Sequence, residues 1–125
     1  MPASALGVLL RYLREKQGFS PAELAQFAEV DRAYVYRLET GEKESPSEEV
    51  LSRLIKVLKP EARHLEMLRF VAANPGVDPA LIELVLNDPS ITLDEFMPAA
   101  TMRHRGNVRP DPKTVIERVR KYLKD

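Results

Sequence analysis

Arg32, Ala33, Tyr36 and Arg37 recur at intervals of one and four residues, the spacing that gathers side chains on one side of a helix. Val35 and Leu38 fall on the opposite side. A helix divided in this way turns two guanidinium groups, a methyl group and a phenol toward solvent. Guanidinium forks pair bidentately with planar acceptors such as O6 and N7 of guanine, and a small methyl suits the methyl of thymine. The hydroxyls of Tyr34 and Tyr36 suit phosphate oxygens. Other chemistry is thinly provided. The chain has no cysteine, which excludes a disulfide framework, a thiolate metal site and a cysteine nucleophile. Its two histidines, His64 and His104, lie far apart and near no carboxylate cluster, so neither a metal nor a cofactor is expected. His64 reads as a surface residue on a charged helix. No paired acid and base stands out for catalysis, and the expectation is a protein that is not an enzyme.

For the side chains of 32–37 to act together, the surrounding sequence must build a short helix and hold it. A first helix is read from about Ser4 to Lys16, with Leu6, Leu9, Leu10 and Leu13 along one side. Gly18 ends it. Ser20, Pro21 and Glu23 then spell a helix start: a capping hydroxyl, a proline at the first position, and a carboxylate that returns a bond to the cap. This second helix turns Leu24, Ala25 and Ala28 inward. Glu29-Val30-Asp31 connects it to the helix of Arg32 and Arg37, which Asp31 caps and Gly41 ends. After a polar loop, Ser47 starts a fourth helix with Glu48 and Glu49 in its first turn, and Val50, Leu51, Leu54, Ile55 and Leu58 face inward. A fifth, from about Glu61 to Ala73, is anchored by Leu65, Leu68 and Phe70 or Val71. Asn74-Pro75-Gly76 marks the expected boundary between a domain at 1–74 and a smaller one at 75–125. Short helical pieces follow at Pro79–Asn87 and Leu93–Met97, then a basic loop from Met102 to Pro110. The last helix starts at Asp111-Pro112 and carries an apolar stripe of Val115, Ile116, Val119, Tyr122 and Leu123. No alternating, valine-rich segment with hairpin chemistry interrupts this pattern, so the fold class is all-α.

The second and third helices, with their tight turn, form the arrangement that offers one short helix to a major groove while its neighbour braces against the backbone. The stretch SPAELAQFAEVDRAYVYRLETG, Ser20 to Gly41, resembles the lambda-repressor and Cro-like (XRE) helix-turn-helix family. The resemblance lies in Leu24-Ala25, Val30, Val35, Leu38 and the Leu38-Glu39-x-Gly41 ending, and with the flanking helices it covers about the first half of the chain. It implies a five-helix lambda-repressor-like domain followed by a small helical C-terminal domain. It also implies a sequence-specific regulator of transcription, a dimeric repressor on palindromic double-stranded DNA, with Ser20, Arg32, Ala33, Tyr34, Tyr36, Arg37 and Lys43 as DNA-binding residues. A buried ion pair joining Arg14 to Glu39 is implied as well. The chain departs from the family at Glu29, the usual glycine of the turn, which must take a backbone conformation suited to glycine. Pro21 replaces a glutamine that often bonds to DNA. Glu42 and Glu44 flank Lys43 in a loop that is often basic. Such acids weaken attraction to phosphate, so two half-sites, and hence a dimer, are expected.

Acidic and basic residues balance at 19 each over 125 residues, but unevenly: residues 60–100 hold seven acids against two bases, and residues 101–125 eight bases against three acids. Leu81, Asp88-Pro89, Ile91, Arg103-His104-Arg105-Gly106, Arg109-Pro110 and the final helix resemble the C-terminal domain of the deinococcal DNA-damage-response repressor family. That resemblance implies homodimerisation, here through Val115, Ile116, Val119, Tyr122 and Leu123. It further implies a regulatory metallopeptidase that cuts near His104 and Arg105 and relieves repression under stress. The same stripe also fits an intramolecular core, and the basic stretch a solvated loop. A competing reading of the whole chain is a protein-interaction module, antitoxin-like or an adaptor, with a degenerate helix-turn-helix; Glu29, Asp31, Glu42 and Glu44 favour it. The apolar run from Ala5 to Leu13 is cut by Arg11 and lacks a basic lead and a cleavage site, so a cytoplasmic protein without membrane attachment is expected.

Overall fold

Short polar side chains start the helices where the sequence places them. The Ser4 hydroxyl accepts from the Gly7 N–H at 3.0 Å, the Asp31 carboxylate from Ala33 at 3.0 Å, and the Ser47 hydroxyl from Val50 at 3.2 Å. Ser20 with Glu23, and Thr92 with Glu95, form reciprocal capping boxes. The computed structural model describes residues 3–43, 45–102 and 110–124. Among these it is all helical: α1 (Ala5–Lys16), α2 (Pro21–Ala28), α3 (Arg32–Thr40), α4 (Glu48–Leu58), α5 (Ala62–Ala73), α6 (Pro79–Asn87), α7 (Leu93–Thr101) and α8 (Pro112–Lys124). The seventh helix runs past Met97, the expected end of that piece, and includes Pro98. Pro98 removes one backbone donor, yet burial of Phe96 and Ala99 holds the face together on either side of it.

The core is organised around α1, which packs against α3, α5 and α6, while α2 packs on α3 and α4, and α8 on α7 and α6. One cluster of buried side chains runs from Leu6, Leu9 and Leu10 through Leu38, Leu54, Met67 and Leu68 to Ile82, Phe96 and Val119. The turn at residues 74–76 is therefore a bend through which the core continues. Arg63 ties the two stretches further, donating to the carbonyls of Val85 at 2.6 Å, Asp88 at 3.2 Å, and Ile91. These oxygens lie at and beyond the C-terminal end of α6, where helical partners run out.

Two expectations about side chains are corrected. His64 is 5% exposed, not a surface residue. With Met67, Leu68 and Val71 it forms the buried face of α5, and its ring meets Tyr12 edge-on at 5.4 Å. On α8, Val115, Ile116 and Val119 are buried within this chain, so the apolar stripe is largely filled by its own α6 and α7. Tyr122 and Leu123, at the end of the stripe, are 81% and 50% exposed.

Candidate nucleic-acid interface

Helix α3 is short, and its orientation is fixed from behind. Val35 and Leu38 are fully buried, which turns Arg32, Ala33, Tyr36 and Arg37 to solvent on the opposite side. Tyr36 is 63% exposed although it is a large aromatic side chain. No hydrogen bond to its hydroxyl is found among the described residues, and a surface that reads DNA uses such a group for phosphate or sugar contact.

At its N-terminal end α3 is set by the turn. Glu29 caps α2 in the left-handed region, at φ 56° and ψ 45°, as its place in the motif requires. The Val30 N–H reaches the Ala25 carbonyl at 2.9 Å and closes the turn. Ala25 is buried there, small enough for α2 and α3 to approach. The Glu29 carbonyl accepts from Nη1 of Arg53 at 2.9 Å, while Nη2 of Arg53 bonds to Glu49 at 2.9 Å. Arg53 thus braces the turn from α4. The sequence offered only an arginine four residues after a glutamate, so this role was not read from it.

At its C-terminal end α3 is held by the ion pair that the family resemblance implied. Nε and Nη2 of Arg14 reach the two carboxylate oxygens of Glu39 at 2.7 and 3.0 Å. Nη1 donates to the Phe19 carbonyl at 2.7 Å. Both charged side chains are only 10% exposed, so this fork is strongly directional. Gly41 then ends the helix at φ 84°, and the Lys43 N–H returns to the Arg37 carbonyl at 3.0 Å.

The other candidate residues divide by role. Lys43 stands with its ammonium 5.2 Å from the centre of the Tyr34 ring. The Tyr34 hydroxyl accepts from the Ser47 N–H at 3.3 Å. Tyr34 is half-buried and ties the loop after α3 to the start of α4, unlike the exposed Tyr36. Ser20 is exposed at the start of α2, its hydroxyl and N–H both engaged with Glu23. Asp31 is an acid with a structural reason, since it caps α3. His104 and Arg105, the candidate cleavage residues, lie outside the described residues.

A basic, exposed third helix, clamped at both ends and set across a tight turn from α2, defines a helix-turn-helix regulator of the DNA-binding class. Comparison with known families reaches the same class: the profile of the helix-turn-helix domain matches residues 5–68, just over half of the chain, and the chain belongs to that family. No curated protein compared with the chain matches it. Among the described residues no helix is long and apolar enough to cross a membrane.

Proposed function

We propose that this protein is a sequence-specific transcriptional repressor that binds a palindromic operator as a homodimer. The observation that carries the reading is the exposure of Arg32, Ala33, Tyr36 and Arg37 on a helix pinned by Arg14 and Glu39. Arg32 and Arg37 read guanine edges, Ala33 packs on a thymine methyl, and Tyr36 with Lys43 and Ser20 contacts the backbone. Dimerisation follows from the electrostatics, because Glu42 and Glu29 are exposed beside the reading face and leave one copy with little general attraction to DNA. Two copies set their recognition helices about 34 Å apart, one turn of the duplex. The exposed Tyr122 and Leu123 supply an apolar contact outside the DNA face. Proteolysis by a regulatory metallopeptidase near His104 and Arg105 releases repression.

The test is enrichment of genomic fragments on purified protein, followed by fluorescence anisotropy on the enriched site at two salt concentrations. Arg37→Ala is expected to weaken binding to that site by about 10- to 100-fold, as loss of one bidentate base contact does. Enrichment of random sequence alone would overturn the repressor reading and favour the protein-interaction module.

A further inference from the structure

Gly7 lies inside α1, a position where glycine is roughly 1 kcal/mol less favourable than alanine. The last turn of α3 explains why it stands there. A Cβ at Gly7 would meet the carbonyl oxygens of Leu38 and Glu39 at 2.7 Å each, and the Glu39 carbonyl carbon at 3.1 Å. All three are backbone atoms and cannot rotate aside. They belong to the two residues that directly follow Arg37. Further along α1, Arg14 grips the Glu39 side chain, so the same helix that receives the backbone of α3 also holds its carboxylate.

We propose that Gly7 is a positioning residue for DNA recognition. Its bare Cα sets how deeply the C-terminal end of α3 seats on α1, and so fixes the angle at which Tyr36 and Arg37 face a base pair. The inference rests on the DNA-binding reading above. A methyl at position 7 must open a 2.7 Å contact to about 3.4 Å, a movement of about 0.7 Å. Preorganised sites tolerate roughly 0.5 Å. The N-terminal end of α3 stays fixed by the turn and Arg53, so the helix tilts outward at Arg37. Bidentate base contacts are lost under such a tilt, whereas phosphate contacts through long side chains follow it.

The full-length protein is compared with Gly7→Ala and with Gly76→Ala, whose methyl meets nothing within 4 Å. Affinities are measured on the enriched operator and on a scrambled duplex of equal length and composition. Gly7→Ala is expected to lower the operator-to-scrambled ratio about tenfold and to leave the scrambled affinity unchanged; Gly76→Ala changes neither. An unchanged ratio, or equal loss on both duplexes, overturns the proposal. A wild type that does not distinguish the duplexes is instead the failure of the DNA-binding reading. The seating of α3 is then judged on the free wild-type protein, as it is if Gly7→Ala does not fold. Nuclear Overhauser contacts from the Gly7 α-protons to the Thr40 amide are expected, and their absence overturns the proposal.

Discussion

Arg14 and Glu39 meet at 2.7 Å with each side chain only 10% exposed, so little water reaches the pair. Removing one charge strands the other, at a cost of about 3 kcal/mol. Glu39→Gln is therefore expected to lower the unfolding free energy by about that amount in urea titration; a loss below about 1 kcal/mol would reduce the pair to a surface contact. His64 shows what the local sequence conceals. Charged neighbours at Glu61, Arg63 and Glu66 make it look solvated, yet Met67, Leu68 and Val71 share its face and draw it under Tyr12. Burial pushes its pKa below the ordinary 6.5; Glu61 opposes that shift, and Lys16 and Arg63 add to it. Its Nδ1 has no partner among the described residues. The unfolded chain thus takes up a proton at higher pH than the folded one, so stability is full above the unfolded value and falls as pH drops toward the folded value. The urea midpoint is expected to fall between about pH 7.5 and about pH 5. His64→Phe, which keeps an edge-on ring against Tyr12, should flatten that fall; an unchanged slope would assign it to other groups.

Among the elements, the helix starts were legible where a cap was read, because capping is local chemistry: Ser20, Asp31 and Ser47 act within three residues of themselves, and the box of Thr92 with Glu95 obeys the same rule although it was not read. The left-handed turn was legible too, since only its place in the motif forces Glu29 to φ 56°. Its penalty gives a signed expectation. Glu29→Gly relieves a conformation that costs a non-glycine residue about 1 kcal/mol, and the Arg53 bond to its carbonyl does not need the side chain. The melting temperature followed by circular dichroism should rise, and a fall would mean that the Glu29 side chain contributes more than its backbone costs. The contacts that brace these elements were not legible. Arg53, Arg63 and Gly7 meet partners 22 to 32 residues away, and no local pattern announces which carbonyl a distant side chain will find.

For the whole molecule, the decisive element is α1, because both halves of the chain use it. One side receives α3 and therefore orients the recognition surface, and another receives α6. The groove between them is lined by Gly7, Tyr12 and Glu39 together with Glu83 and Leu86, so the ion-paired end of α3 lies next to the C-terminal half. A domain boundary at residue 74 was a reasonable reading of Asn74-Pro75-Gly76, since a turn signal in sequence does not reveal whether the core stops with it. Here the buried cluster crosses it. Ellipticity and tyrosine fluorescence of the full chain should therefore report a single, coincident unfolding transition. Residues 1–74 alone should unfold at lower urea, because removing α6 uncovers apolar surface on α1 and releases the Arg63 contacts. Equal midpoints for fragment and full chain would establish that the two halves are energetically separate. A lower midpoint would mean that any event displacing α6 also loosens the platform on which α3 is seated, placing the two ends of the chain under common control.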